Sequence, residues 1–162
     1  MGQDIANMPV NVYGTPYSHW LRNDLKEYRN AVRTTSVPWL ITQGNNLRTP
    51  EPVLVGILSN PLVMAGKAKI SFLSPTQKLA IAKDIPAPAW LLTELIQGNS
   101  AYRFRKEIAK RPDRTGEIID FLYKTGDPDI LTSLTVNPCV DEELKVFLYL
   151  SLPPAIVRNL RS

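Results

Sequence analysis

The densest group of side chains that could bind a ligand is a basic stretch near the middle of the chain. Residues 101–115 contain six basic residues and two acids. The basic residues are Arg103, Arg105, Lys106, Lys110, Arg111 and Arg114. The stretch that follows, 116–150, has the opposite balance, with seven acids and two lysines. A basic band of the chain therefore lies beside an acidic one.

On a helix, these basic residues would form a surface that can contact phosphates. Phe104 and Ile108 would face inward together with Ala101 or Arg111, which leaves an outward stripe at helical spacing. The stripe consists of Arg103, Lys106 and Lys110. Each phosphate that it neutralises would add salt-dependent affinity. The candidate partner- or phosphate-binding residues are Arg103, Lys106, Lys110, Arg111 and Arg114. The simpler alternative, which we favour, is a solvated helix face partly paired with the acids that follow.

The chain offers few residues for catalysis or metal binding. His19 is the only histidine and Cys139 the only cysteine, so no internal disulfide can form. A metal site needs at least two convergent ligands, and a nucleophile needs a neighbouring base. Gly-x-Ser-x-Gly and the glycine-rich phosphate loops are absent from the sequence. We interpret Asp141, Glu142 and Glu143 as charges that cap a helix. The prediction is a non-enzymatic protein without metal or cofactor.

The composition indicates one folded domain. Of the 162 residues, 44% are hydrophobic and 21% charged, and the net charge is +4, which is ordinary for a folded soluble protein. No apolar run approaches the roughly 18 residues of a membrane span, and the N-terminal residues lack the order of a secretory signal. Ala6 disfavours a myristoylation motif. These features predict a cytoplasmic protein.

The elements that must position these side chains repeat along the chain. Four segments can be aligned at anchor positions that are 24, 27 and 26 residues apart, and each has an aliphatic residue four places before its anchor. The anchors are Pro61, Ile85, Pro112 and Pro138. A fixed period of this size indicates units that cannot bury an apolar face alone and must stack on their neighbours.

Each unit is predicted to contain a short first helix, a turn at the anchor and a longer second helix. A proline at the anchor removes a backbone donor and disfavours helix in the preceding residue, so the first helix ends there. Asn60 and Asn137 precede two of these prolines and suit a chain reversal. Apolar residues at offsets of six, nine and ten then give the second helix one buried side. In the last two units they are Ile118, Phe121 and Leu122, then Leu144, Phe147 and Leu148.

The first fifty residues do not join the repeat. They contain turn-formers, among them Pro38, and one predicted amphipathic helix, from about Ser18 to Val32. We interpret 1–50 as a loop-rich arm and a helix that cap the apolar side of the first repeat, and 51–162 as the repeat domain. At the other end, 153–160 repeats the start of the fourth unit. This half unit would cap the array or leave an apolar edge for another chain.

Lone residues with possible roles are assigned to packing. Trp39 is expected to anchor the N-terminal segment on the first repeat, and Trp90 to pack in the core or between repeats. An exposed tryptophan would instead indicate a binding hot spot. His19 is expected at the surface or in the cap, and Cys139 as a small apolar filler.

The repeat length, the segment Leu134-Thr-Val-Asn-Pro138 and the aliphatic pattern through Leu148 carry a family resemblance. They resemble the leucine-rich repeat variant group of bacterial proteins and, more loosely, the HEAT-like α-solenoids. The resemblance covers about residues 51–160. It implies paired helices in a right-handed superhelix and a scaffold role, and no catalytic residue transfers with it. Some relatives hold an iron–sulfur cluster through cysteines, and this chain lacks those ligands. The expected fold class is all-α, a right-handed α-solenoid of about four two-helix repeats with an N-terminal helical and loop cap.

Three functions are compatible with such an array. The first is a non-enzymatic helical-repeat scaffold that binds a protein partner or another copy of itself through its concave face or its C-terminal edge. The alternative is a nucleic-acid-binding α-solenoid that uses the basic helix around 103–114. The least favoured is an enzyme resembling the HEAT-like DNA glycosylases, which would need an acid and aromatic side chains gathered in one cleft.

Overall fold

A computed structural model describes residues 8–71, 73–97, 102–135 and 142–151. Within these ranges the chain forms ten helices and no strand beyond one isolated bridge, so the all-α prediction is confirmed. The helices are α1 Arg22–Arg33, α2 Val37–Gly44, α3 Glu51–Leu58, α4 Pro61–Met64, α5 Pro75–Lys83, α6 Ala89–Gln97, α7 Tyr102–Ala109, α8 Gly116–Lys124, α9 Pro128–Thr135 and α10 Glu142–Ser151.

The helices from α3 to α10 come in pairs around the predicted anchors. Pro61 is the first residue of α4, which follows α3, while α5 and α6 flank Ile85, and α7 and α8 flank Pro112. The fourth anchor, Pro138, falls between α9 and α10 and lies outside the described residues. The second helix has 4, 9, 9 and 10 residues in the four units, against 8, 9, 8 and 8 in the first. The prediction of a longer second helix is therefore wrong for the first two units.

Asn60 holds the turn of the first unit inside the core. Its side chain is fully buried, and its amide oxygen accepts a hydrogen bond of 2.9 Å from the Leu62 N–H, which caps α4. Its amide nitrogen lies 2.9 to 3.0 Å from three carbonyl oxygens at the end of α1. These carbonyls belong to Ala31, Val32 and Thr34. One side chain therefore satisfies polar groups of two elements that are distant in sequence.

Helix α4 is short because the chain turns at Gly66, whose φ is +76°. This left-handed conformation favours glycine, because a side chain would clash with its own backbone. The N–H groups of Lys67 and Ala68 then donate to the Leu62 carbonyl at 2.9 and 3.3 Å, which closes the helix end. The first unit thus has a one-turn second helix.

Helices α1 and α3 pack with their backbones in close approach at Gly56. A Cβ atom built there would lie 2.5 Å from the Tyr28 carbonyl oxygen and 2.7 Å from the Ala31 Cβ. Only a residue without a side chain fits between the helices at this distance. The close approach buries Ala31, Val55 and Ile57.

The N-terminal segment contains two helices where one was predicted. Helix α1 begins four residues later than expected, because Trp20 closes a turn onto the Tyr17 carbonyl and the Leu21 N–H donates to Asp24 at 2.8 Å. Helix α2 was missed because Pro38 was counted as a turn-former. Pro38 occupies the first turn of α2, where its missing N–H has no helical acceptor to lose.

Residues 8–20 form an arm that reaches past the first repeat. The arm turns at Gly14, whose φ is +82°, and its Val12 N–H donates to the Asp84 carbonyl at 3.0 Å. The Tyr13 hydroxyl donates to the Lys110 carbonyl at 3.3 Å. The expectation of a cap over the first repeat alone is therefore too narrow, because the arm also contacts the turns of the second and third units.

One hydrophobic core extends from Met8 to Leu148 and includes residues of both predicted domains. Helices α5, α7 and α9 pack on one another in chain order. Helices α6 and α8 each pack on the first helix of the following unit, and α10 packs on α9. This packing places the basic helix α7 in the middle of the row of first helices.

Candidate functional site

Helix α7 carries the predicted outward stripe. Arg103 and Lys110 are exposed and Lys106 is half-buried, whereas Ile108 is fully buried on the opposite side. The Lys110 ammonium lies 3.6 Å from a carboxylate oxygen of Glu107. This partly exposed pair adds little stability and leaves the lysine close to solvent. Three of the five candidate residues therefore point outward, as predicted.

Arg111 does not belong to that surface, because it is fully buried. Its Nη1 donates to the carbonyls of Ile81 and Ile85, the latter at 3.0 Å. Its Nε and Nη2 donate to the two carboxylate oxygens of Asp113 at 2.9 and 2.8 Å. Of the two residues considered for the inward side, Ala101 or Arg111, the structure has Arg111 inward, so Arg111 is not at the surface to contact phosphate. The planar guanidinium fork instead satisfies the carbonyls at the end of α5.

Arg105 and Arg114 also donate to carbonyls near helix C-termini. The Arg105 Nε donates to the Ile96 carbonyl of α6 at 2.6 Å, and the Arg114 Nη1 donates to the Ala109 carbonyl of α7. Cations at this end of a helix are favoured by the helix dipole. The basic composition of this band thus reflects three arginines at three successive helix ends, and Arg114 is a weaker candidate for a ligand than predicted.

The groove between α8 and α10 is the other candidate surface. It has a volume of about 560 Å³. Its apolar lining is Ile119, Tyr123, Leu144 and Phe147, and its acids are Asp120 and Glu143. Asp120 also pairs with Lys124 at 2.8 Å, and both side chains are largely exposed, so this pair costs little to rearrange.

Phe147 departs from the predicted buried stripe. Its neighbour Leu148 is fully buried, but Phe147 is 54% exposed. Phe121 occupies the same position in the third unit, and there the Arg105 guanidinium lies 5.4 Å from the ring centroid. The periodic pattern could not distinguish these two rings, because the difference depends on what neighbouring helices place over them. The other groove residues, Ile119 and Tyr123, were not in the predicted stripe at all.

Two exposed apolar side chains lie on α2. Trp39 is 36% exposed and Ile41 is 38% exposed. Trp39 also lines a groove of about 540 Å³ together with Arg33 at the end of α1. The expectation that Trp39 anchors the N-terminal segment is thus only partly met, and the exposure fits the alternative of a hot spot.

Trp90 and Trp20 serve packing. The Trp90 indole donates to the Val63 carbonyl at 2.7 Å, which confirms the predicted packing between repeats. Trp20 is buried and stacks on Tyr17 at a centroid distance of 4.4 Å. His19 is exposed, as predicted, and its Nε2 lies 2.9 Å from a Glu51 carboxylate oxygen.

Two titratable groups at the base of the arm have shifted pKa values. Burial raises the pKa of the Tyr17 hydroxyl, and the charges of Asp84 and Glu51 raise it further. Burial also raises the pKa of Asp84, with a smaller contribution from Glu51, while Arg111 and Lys83 act in the opposite direction. Ionised Asp84 is therefore a destabilising feature of this junction.

Within the residues that the structure describes, no three or more His, Cys, Asp or Glu side chains converge as metal ligands. In the same part of the chain, no helix is both long and apolar enough to cross a membrane. Cys139 and Asp141 lie outside the described ranges.

No protein-family model, curated protein sequence or solved structure matches the chain. What the protein does must therefore be inferred from its own surfaces.

Proposed function

We propose that the chain is a helical-repeat scaffold that binds protein in the groove between α8 and α10. In this proposal the four helix pairs form a right-handed α-solenoid of the leucine-rich repeat variant or HEAT-like kind, working in the bacterial cytoplasm. The agreement between helix pairs and sequence period supports this architecture. The stacking of α5, α7 and α9 in chain order supports it too.

The observation that carries the proposal is the exposure of Phe147 inside an apolar groove. A phenylalanine side chain offers about 200 Å², so covering the exposed half would contribute about 2 to 3 kcal/mol at ~25 cal/mol per Å². An aromatic ring in a concave site is typical of binding hot spots. The acids Asp120 and Glu143 border the ring and favour a partner segment that carries lysine or arginine.

A peptide-display selection on the immobilised full chain tests this function. We expect enriched sequences to combine apolar residues with lysine or arginine. In solution the corresponding synthetic peptides should bind Phe147→Glu roughly 30- to 160-fold more weakly than wild type, as the lost burial implies. Val146→Glu is the matched control, because Val146 is 58% exposed, next to Phe147 on α10 and outside the groove lining.

The control should bind like wild type. A selection in which no sequence prefers wild type over Phe147→Glu would show that the groove is not a protein-binding site. Equal losses for Phe147→Glu and Val146→Glu would also contradict the proposal, because added charge alone would then explain the effect.

A second candidate function is nucleic-acid binding by α7, favoured by the outward placement of Arg103, Lys106 and Lys110. Three phosphate contacts predict a slope of log affinity against log salt of about −2.7, a loss of roughly 40-fold between about 50 and 200 mM. Five contacts would predict a loss of roughly 500-fold over the same range. Electrophoretic mobility shifts of Lys106→Ser and of the control Lys124→Ser measure this. The absence of any shift at about 50 mM salt removes the candidate.

A further inference from the structure

Helix α1 carries four basic side chains at helical spacing. Their positions are separated by four, three and four residues, which places them on one face of the helix. All four are exposed, and they extend over about 16 Å at a rise of ~1.5 Å per residue. We call this set the α1 stripe, and it consists of Arg22, Lys26, Arg29 and Arg33.

Among the described residues, no carboxylate forms an ion pair with the α1 stripe. The Asp24 carboxylate on the same helix instead accepts a hydrogen bond of 2.8 Å from the Leu21 N–H. Residues 28–50 contain three arginines and no acid. On α7, by contrast, the Lys110 ammonium lies 3.6 Å from a Glu107 carboxylate oxygen. The positive potential of the α1 stripe therefore favours an anionic partner.

The C-terminal end of the α1 stripe borders a groove that contains an exposed indole ring. This groove has a volume of about 540 Å³ and is lined by Arg33 and Trp39 together with Asn30, Thr34 and Ser36. Trp39 is 36% exposed and is the only apolar side chain among these five. We call this site the Trp39 groove. It places an aromatic ring beside a guanidinium, with amide and hydroxyl groups around the ring.

Hydrogen bonds hold the turn that forms the Trp39 groove. The Asn60 amide nitrogen lies 2.9 Å from the Thr34 carbonyl oxygen, and Asn60 is fully buried. The Ser36 hydroxyl accepts from the Trp39 N–H at 3.3 Å, and the Ser36 N–H donates to the Thr34 hydroxyl at 3.2 Å. Since the groove is formed before a ligand arrives, binding there costs less conformational entropy.

We propose that the α1 stripe and the Trp39 groove bind single-stranded nucleic acid. Phosphates of the strand lie along the α1 stripe, and one unpaired base stacks on the Trp39 ring beside Arg33. The Asn30 amide and the hydroxyls of Thr34 and Ser36 border the ring and are able to hydrogen-bond the edge of that base. The site shares no residue with the α8/α10 groove or with α7, so it is a function additional to those proposed for them.

The lining of the Trp39 groove favours a single strand over an acidic peptide or a duplex. A peptide site has an apolar core that takes up several side chains, whereas Trp39 is the one apolar side chain among the five that line this groove. In a duplex the bases are stacked on one another, so no base face is free for the indole. Every unpaired base has a face that stacks on an aromatic ring, and every nucleotide of a single strand adds a phosphate for the basic side chains.

Fluorescence anisotropy of a labelled oligodeoxythymidine, titrated with the full chain, tests the proposal. A length of about 12 nucleotides is within the range that such sites cover. Four phosphate contacts predict a slope of log affinity against log salt of about −2.8, a loss of roughly 50-fold between about 50 and 200 mM salt. An oligouridine of the same length is titrated in parallel. Binding of either strand supports the proposal, and the ratio of the two affinities identifies DNA or RNA as the preferred form.

Two variants separate the contribution of stacking from that of charge. Trp39→Ala should weaken binding by roughly 5- to 160-fold and leave the salt slope unchanged, because a stacked base releases no counterion. Arg29→Gln should instead reduce the size of the slope by about 0.7. Ile41→Ala is the matched control and should bind like wild type, because Ile41 is 38% exposed on the same helix as Trp39 but does not line the groove. Far-UV circular dichroism confirms that the variants are folded.

Four results would overturn single-strand binding at this site. One is the absence of any anisotropy change at about 50 mM salt, where electrostatic contacts are strongest. Another is a Trp39→Ala variant that binds as tightly as Ile41→Ala, and a third is a duplex of the same length that binds as tightly as the single strand. The fourth is a polyglutamate peptide that competes as well as unlabelled oligonucleotide, because the site would then recognise acidic polypeptides. Binding that Lys106→Ser weakens and Trp39→Ala leaves intact falls under the second result and places the nucleic acid on α7.

Discussion

Replacing Arg111 with methionine is expected to lower the free energy of unfolding by about 3 to 5 kcal/mol. The wild-type guanidinium is fully buried and donates to the carbonyls of Ile81 and Ile85 and to the Asp113 carboxylate. Methionine keeps most of the apolar stem, so the loss comes from the polar groups and not from a large cavity.

The size of the loss in unfolding free energy depends on which hydrogen-bond partners of Arg111 can be hydrated after the substitution. The Asp113 side chain is 37% exposed and can be hydrated again after the substitution. The two carbonyls at the end of α5 lose a charged donor inside the core, which costs about 1.5 to 2.5 kcal/mol each. Arg111→Lys should lose about half as much, because an ammonium can reach the carbonyls or the carboxylate but lacks the planar fork that serves both.

Urea denaturation followed by far-UV circular dichroism measures these changes. Arg103→Met is the matched control, since Arg103 is exposed on α7, the helix that precedes Arg111, and its replacement should change stability by at most about 0.5 kcal/mol. The unfolding free energies of the variants can be compared where they depend on urea concentration with the same slope. If Arg111→Met were within about 1 kcal/mol of wild type at equal slope, the buried arginine would not be a structural tie and the reasoning would be refuted.

Two further predictions concern helix packing and pH. Gly56→Ala should destabilise the fold by about 1 to 3 kcal/mol, because its Cβ would lie 2.5 Å from the Tyr28 carbonyl oxygen. The control is Gly116→Ala, whose Cβ would meet nothing within 4 Å and which should be neutral or stabilise by up to about 1 kcal/mol. Thermal unfolding measures both variants. Equal changes in stability for the two would contradict the close approach of α1 and α3. Asp84→Asn should be more stable than wild type at neutral pH. Burial is the main cause that raises the pKa of the Asp84 carboxyl, and the charge of Glu51 raises it further. The folded state therefore binds this proton more tightly than the unfolded state does, and ionised Asp84 destabilises the fold. This advantage should be complete above the raised pKa and should fall to its minimum as the pH drops below the ordinary value of 3.8; an advantage that grows toward low pH would show that the sign is wrong.

The basic band shows that a basic composition does not by itself identify an anion-binding surface. Six basic residues in fifteen suggested a surface for an anion. Arg111 is nonetheless buried, and Arg105 and Arg114 donate to helix-end carbonyls. A guanidinium is suited to this use, since several fixed donors can satisfy a group of carbonyls at once. The basic side chains that remain for binding an anion are those that do not donate hydrogen bonds to helix-end carbonyls.

The helix pairs could be predicted from the sequence because their signals are local. Pro61 and Pro112 restrict the backbone beside them whatever the rest of the chain does, and α4 and α8 begin within four residues of these anchors. The buried positions of Ile118 and Leu122 likewise follow from helical spacing. Helix α2 was missed because proline carries two local meanings, a turn or a helix start, and the sequence does not choose between them.

Tertiary structure alone decided the candidate surfaces. Phe121 and Phe147 occupy the same position in two units, yet Phe121 lies under Arg105 and is half-buried, while Phe147 is 54% exposed. Arg111 and Arg103 are equally basic, yet one is buried at the end of α5 and the other faces outward. The spacing of apolar residues in the sequence determines which side of a helix is apolar, because the helical backbone fixes the direction of each side chain. Whether that side is covered depends on which neighbour the fold brings to it, and that neighbour is set by contacts between residues far apart in the chain.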